Sequence, residues 1–371
     1  MLKIASKILW ENRSGKNVSW FQPRACSCGG GEMLMTLQSI SGSDYYGPLH
    51  QSFSHDAGNT WSRPEPIPGF EWKTAAEGIS EGICDVVPEY HAPSGTVLAI
   101  GHNVYYRDGK LFDSLGDWRK PELFLQRYCV WSVFRNGVWS APRRLAIPGM
   151  EKTTIYSCGC SQRIFTGDDL LLIPLTLGLP AIRPRKVTSV LCRFDGREII
   201  FEKTGRMLEL PVGRGLLEPS MTRWDGGFLM TLRAEDGCGY HVRSSDGLDW
   251  GKPLPWRFDN GERLEMSSTQ QHFLHLAGKL YLVYTRNNGE NSHFFRWRTP
   301  LFLAEVDRDL ELIRDTEQVV FPMLSEGENA AGMGNFQVSP AGPDSALITV
   351  GEERGHDHYY GNTLAAFITA Q

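Results

Sequence analysis

Residues 218–250, EPSMTRWDGGFLMTLRAEDGCGYHVRSSDGLDW, decide the fold. An acidic residue and a proline open an apolar run, and the tight turn Asp225-Gly226-Gly227 leads into a second run that stops at Arg233. A polar loop and a third run, 240–244, end in Ser244-Ser245-Asp246-Gly247-Leu248-Asp249-Trp250. Runs this short, bounded by Gly and Asp turns, predict consecutive antiparallel strands. In such a meander the start of the first strand and the end of the second share an edge. Glu218 and Arg233 are therefore expected as neighbours at one rim.

The same unit recurs on both sides. Residues 22–38 read strand, turn, strand around Gly29-Gly30-Gly31-Glu32, and a polar loop 39–48 precedes a third strand at 50–54. Runs 86–92, 97–102 and 128–135 make the second unit, and 161–165, 170–176 and 187–194 the third. Residues 271–276, 280–285 and 302–306 make the fifth, and 336–339, 346–351 and 363–369 a sixth with no fourth strand of its own. An orphan strand, 3–9, opens the chain. Self-similarity at about 50–75 residues marks a repeat architecture, and four-stranded antiparallel units are propeller blades. The expectation is an all-β, six-bladed β-propeller, one domain over 1–371, closed by pairing the N-terminal strand with the last blade. Closure removes exposed sheet edges. The rival, two tandem β-sandwiches, explains neither the missing last strand nor the repeated Trp61-Ser62-Arg63-Pro64 and Trp139-Ser140-Ala141-Pro142.

Composition narrows the function. With 41% hydrophobic and 22% charged residues and a formal net charge of −5, the 371-residue chain suggests neither nucleic acid nor an anionic membrane as partner. Eleven Trp, 12 Tyr and 18 Phe suit an all-β core and, secondarily, a carbohydrate site. Eight cysteines are too dilute for a disulfide scaffold. Cys26/Cys28 and Cys158/Cys160 are C-x-C pairs expected inside strands, and buried free thiols are the expected state, with no metal and no cofactor. The first fifteen residues lack the apolar core of a signal peptide and no run approaches a membrane span, so a cytoplasmic location is expected.

Ser54-x-Asp56-x-Gly58-x-Thr60-Trp61 matches the Asp-box that marks blade corners in sialidases, and 244–250 looks like a version one residue shorter. In such turns Asp and Ser side chains bond backbone groups, Gly takes permissive dihedrals and Trp packs between sheets. Over nearly its whole length the chain resembles the sialidase superfamily of six-bladed propellers. That resemblance implies a substrate carboxylate held by three arginines, a tyrosine nucleophile assisted by a glutamate, and an aspartate as acid/base, an exception to the two-carboxylate glycosidase scheme. By blade order it implies Arg24, Arg233 and Arg286 as the arginines, Glu218 as the assisting glutamate, Tyr359 or Tyr360 as nucleophile and Asp44 as the acid. Asp85 and Glu89 compete with Asp44. Counted from the turn, Thr285 rather than Arg286 is the register partner of Arg233, which leaves Arg296 and Arg298 as alternatives.

Other residues keep other chemistries open. His102 ends the second strand of the second unit, where Arg233 stands in the fourth, and Tyr105 follows it. Such a pair would suit a glycan lyase, or a glycosidase of another class, at the same rim. His272 and the segment Glu352-Glu353-Arg354-Gly355-His356-Asp357-His358 also reach toward it, the latter read as a polar loop rather than metal ligands. A third possibility is a propeller that binds carbohydrate or protein without turnover.

Overall fold

A computed structural model describes residues 2–113, 124–180, 182–323, 331–354 and 359–370, and its regular structure is almost all antiparallel strand. The chain forms two compact units: residues up to 65 with 237–239 and from 255 onward, and residues 66–236 with 240–254.

In the first unit Trp20–Gly29, Glu32–Gly42, Tyr45–Ser54 and Glu65–Pro66 follow one another in a four-stranded sheet. His272–Leu276, Lys279–Tyr284, Leu301–Val306 and Gln318–Phe321 form a second. The last sheet runs from Leu2–Trp10 through Thr363–Ala370 and Ser345–Arg354 to Gln337–Gly342, with Ala331–Met333 as a side strand. Leu2 faces Ala370 and Ile8 faces Leu364 in antiparallel register, so the orphan strand does complete the last unit. Alternation along the strands sends Val338, Ile348, Val350, Ala366 and Ile368 into one core with Val283, Leu301 and Leu303. Each of these Val, Leu and Ile side chains, fully buried, contributes about 1.5–3 kcal/mol relative to exposure.

The second unit holds the four-stranded sheet of Leu217–Trp224, Gly227–Arg233, Gly239–Ser244 and Leu254–Pro255, built on the quoted stretch. The second and third repeats are not separate, however. Ile155–Ser157 runs parallel to Arg127–Arg135, Arg127 beside Ile155 and Tyr128 beside Tyr156, and fuses them into one sheet of twelve strands. Backbone satisfaction explains the fusion: Arg127 N–H donates to Thr154 O at 2.9 Å and Thr154 N–H to Gly178 O at 2.9 Å, groups that would otherwise lack partners. Arg163 ties the same sheet together from inside. Its Nη1 and Nη2 donate to Val87 O and Leu98 O at 3.0 and 2.6 Å, and its Nε lies 3.0 Å from Glu89.

Two local expectations are corrected. The loop at 39–48 is mostly strand, because Gly42 pairs with Tyr45 across the two-residue turn Ser43-Asp44. Cys158 and Cys160 lie outside strands; Cys160 has φ +60°, and Cys158 Sγ sits 3.4 Å from Cys129 Sγ. All eight cysteines are unbridged and six are buried.

The two aspartate turns close as their residue types dictate. Asp56 accepts from Ser54 Oγ at 2.8 Å and from both Thr60 groups at 2.7 Å. These bonds, led by the Thr60 hydroxyl, lower the Asp56 pKa to about 2. Asp246 accepts from Ser244 Oγ at 3.0 Å and from the N–H groups of Leu248 and Asp249 at 2.9 and 2.8 Å. Trp61 is half-buried, its Nε1 donating to Gly58 O at 2.9 Å. Trp250 is wholly buried among Leu172, Val187 and Met230, and its Nε1 donates to Ser189 Oγ at 2.9 Å.

A second device recurs at the starts of the repeats. Ladders shift register between Phe21 and Arg24, between Cys84 and Val87, and between Leu217 and Ser220. The residues in those bulges, Gln22, Asp85 and Glu218, have φ of +51°, +54° and +44°. Cys160, ahead of Ile164–Phe165, has φ of +60°. Left-handed dihedrals at residues with a Cβ cost on the order of 1–3 kcal/mol each, and bulges re-aim the side chain they carry. The fold repeats the bulge and varies the residue.

Candidate functional site

Glu218 and Arg233 meet as the meander predicts. Leu217 pairs with Arg233, and the bulge at Glu218-Pro219 turns the carboxylate onto that arginine, Arg233 Nη1 donating to Glu218 Oε1 at 2.5 Å. Glu218 N–H donates to Thr176 Oγ1 at 3.1 Å, which fixes the bulge. The Arg233 side chain is 4% exposed and that of Glu218 26%, so Glu218 is the member that reaches solvent, although its Oε2 is buried. Burial opposes the charge of Arg233, yet the Glu218 carboxylate holds its pKa above the ordinary value, with smaller contributions from Cys160 and Glu235.

Arginines that the strand pattern did not single out surround this pair. Arg185 feels the charges of Arg127, Arg214, Asp113 and Glu218. Arg214 donates through Nε to Glu235 Oε1 at 2.7 Å and through its backbone N–H to Glu235 Oε2 at 2.9 Å. Partial burial pushes the Glu235 pKa up, but these bonds hold it below the usual value.

The same unit places His102 against Cys84 and Asp85, with His102 Nε2 3.3 Å from Cys84 Sγ and one donor atom of each residue within 4.8 Å of the others. The His102 ring lies directly against Gly159, so a side chain there would displace the imidazole. Sulfur, imidazole and carboxylate form a donor set for a zinc-type ion. The sequence hides the trio because Cys84 and His102 are joined only by cross-strand register.

Tyr105 does not join His102. Three residues apart on one strand, the two lie on opposite faces. Tyr105 is buried, donates to Gln126 O at 3.0 Å and accepts from Asn103 Nδ2 at 2.9 Å. Burial, and then the Glu81 charge, push its pKa well up, so it is no base near neutrality. Glu81 instead accepts from Asn103 Nδ2 and Tyr128 OH, both at 2.7 Å, in a pocket also lined by Lys73, Arg143 and Arg144.

The remaining candidates belong to the first unit. Arg24 is fully buried, its Nη1 3.4 Å from Gln337 Oε1 between the first and last sheets. Arg286 differs from the expected clamp: Nε and Nη2 bond Glu317 at 2.8 and 2.7 Å, and Nη1 donates to Asn287 O at 2.9 Å. Glu317 also accepts from Tyr284 OH and Arg314, and each of the three nitrogens of Arg286 is engaged inside the protein. Arg296 and Arg298 are half-buried beside Phe295–Trp297. Asp44 is exposed in its tight turn, at φ +52°, accepting from Tyr46 OH at 3.2 Å. Tyr359 and Tyr360 are half-buried, the Tyr360 ring lying against Gly15. His272 is fully buried, edge-on to Phe336. Glu352 is buried against Arg13, whose Nε and Nη2 donate to it at 3.0 and 2.6 Å. His356, Asp357 and His358 lie outside the described residues.

The repeated four-stranded antiparallel sheets give the chain an all-β fold similar to that of solved sialidases. No family model matches the chain, and no curated protein matches its sequence. Among solved structures, Trypanosoma rangeli sialidase superposes with a TM-score of 0.66 at 16% identity over 98% of this chain. The chain spans 59% of that sialidase. A protein of unknown function from Dyadobacter fermentans gives 0.68 at 13% identity, covering 100% of this chain and 99% of that one. An α-L-arabinofuranosidase mutant from Fusarium graminearum, bound to an iminosugar inhibitor, gives 0.59 at 12% identity over 98% and 97%.

Proposed function

We propose that the chain is a sialidase-like glycoside hydrolase acting on a sugar that bears a carboxylate, its repeats arranged as six blades with the Asp-box turns at their corners. The observation that carries the reading is the Glu218–Arg233 pair, a partly exposed glutamate held on a buried guanidinium by a strained bulge. In this reading Arg233 receives the substrate carboxylate, because an arginine fork matches it in geometry and stays charged. Glu218 raises the basicity of Tyr359 or Tyr360, since a phenol of pKa about 10 is otherwise a poor nucleophile at neutral pH. Asp44 would act as acid/base. Supporting the reading, neighbours of the same fold include a T. rangeli sialidase solved with sialic acid and an arabinofuranosidase.

The test is hydrolysis of a panel of aryl glycosides of sialic and hexuronic acids by wild type, Glu218→Gln, Tyr359→Phe and Tyr360→Phe. Turnover by wild type that collapses in Glu218→Gln and in one tyrosine variant supports the reading; equal rates in all four overturn it. A second reading, glycan binding without turnover, is favoured by the buried Arg24 and the saturated Arg286, which leave Arg233 as the member of the implied clamp with a solvent-facing partner. Binding of the same sugars with no product after long incubation would select it.

A further inference from the structure

Three arginines of the second unit stand on adjoining backbone segments. Arg127 pairs with Ile155, Ile155 with Gly178, and Leu177 with Lys186, which puts Arg185 at the end of the same rung. Arg185 in turn bridges to Gly215, and its N–H donates to Arg214 O at 2.7 Å. The approach is tight: a Cβ on Gly215 would lie 2.2 Å from Arg185 O.

Their donors exceed the acceptors at hand. Among the described residues the Arg185 guanidinium makes no hydrogen bond or ion pair. Arg127 Nε and Arg214 Nη2 are buried with no partner. The carboxylates facing the group are Asp113, 3.6 Å from Arg127 Nη1, Glu235 on Arg214 Nε, and Glu218, already on Arg233. Among the described residues, four cations thus face three anions. Burial first, then the charges of Arg127 and Arg214, bring the Arg185 pKa down to about 10, so it remains a cation at neutral pH under like-charge repulsion. Unsatisfied buried donors are costly, and an incoming anion would relieve both the repulsion and the missing bonds.

We propose that Arg127, Arg185 and Arg214 form an anion subsite beside Glu218, which takes a carboxylate or sulfate on the sugar adjoining the one at Glu218. Resting on the glycosidase reading, this makes the substrate class an oligosaccharide with acidic groups on consecutive sugars, rather than one acidic sugar capping a neutral chain.

The test is calorimetric titration of the intact chain at low salt with trigalacturonate, a sulfated trisaccharide and a neutral galactose trisaccharide. Wild type should bind an acidic trisaccharide at least about tenfold tighter than the neutral one, with affinity falling as salt rises. Arg185→Gln should remove that preference and leave neutral binding and the thermal unfolding midpoint in place; Arg185→Lys should keep part of it. Should Arg185→Gln not fold, Arg127→Gln carries the same expectation. No acidic preference in wild type, or a preference that survives in the glutamine variant, overturns the subsite. An Arg185-dependent preference in a protein that hydrolyses none of the glycosides would sink the glycosidase reading and leave the subsite standing. Hydrolysis without any Arg185 effect would do the reverse. Preference for trigalacturonate or for the sulfated sugar identifies the anion.

Discussion

Arg233 ends the second strand of its sheet and Arg286 lies two residues past the second strand of its own; each holds a glutamate, yet they make opposite kinds of site. Arg286 closes on Glu317 with two parallel bonds, and Tyr284 and Arg314 complete that carboxylate. At 10% and 6% exposure the pair is sealed. Arg233 is sealed as well, but its glutamate is 26% exposed and sits on a bulge with left-handed dihedrals. An arginine–glutamate pair therefore says little until the accessibility of the carboxylate is known. One pair is closed off inside its sheet; the other keeps its glutamate side chain partly open to solvent.

The sharpest way to break the comparison is to neutralise each glutamate. Glu218→Gln keeps the shape and an acceptor for Arg233, so hydrolysis of the acidic glycoside should fall about 10²–10⁴-fold, the range for a lost acid–base partner, with the urea midpoint nearly unchanged. Arg286→Leu should act in the opposite sense. It leaves Glu317 buried and uncompensated toward its nearest partner, and should lower unfolding free energy by about 3–5 kcal/mol in urea denaturation, with kcat preserved in the folded fraction.

Acid should separate the pairs again. Burial raises the Glu317 pKa, but the bonds from Arg286 and Tyr284 outweigh it and hold the pKa below its ordinary value. A depressed folded-state pKa gives stability that is present above the unfolded value of about 4.3 and is lost as pH falls through the folded one. The wild-type urea midpoint should thus decline below about pH 4 more steeply than that of Glu317→Gln. Equal slopes would show that the pair contributes nothing on ionisation. The smallest effect concerns the two aspartate turns. Trp250→Phe loses a buried bond to Ser189 and should cost about 1–2 kcal/mol, whereas Trp61→Phe at its half-buried place should change the melting temperature less.

Much of the fold was legible because strands announce themselves locally. The turns at Asp225-Gly226-Gly227 and 29–32 and the alternation between them placed most ladders, and meander geometry alone brought Glu218 to Arg233. What the pattern missed is non-local. The link of Ile155–Ser157 to Arg127–Arg135 joins segments with no shared periodicity. Arg185 and Arg214 stand at a strand start and in a loop, where neither alternation nor a motif marks them, and Glu317 reaches Arg286 from a 3₁₀ turn after the third strand. His102 with Cys84 and Asp85 emerges only from register. Tyr105 is the contrary case: its separation from His102 follows from a strand period of two and was present in the sequence throughout.

The pairing of Leu2–Trp10 with Thr363–Ala370 has a consequence in time. During synthesis this first strand emerges before any other described here, and the strand it belongs beside emerges last. Until that last strand emerges its edge must wait without its ladder, while the sheets between can close on near neighbours. The contact of longest sequence separation is then also the final one to form, and long-range pairing is intrinsically slow. Lys3, Ser6 and Lys7 keep the waiting edge partly polar on both faces, a form of patience written into the strand.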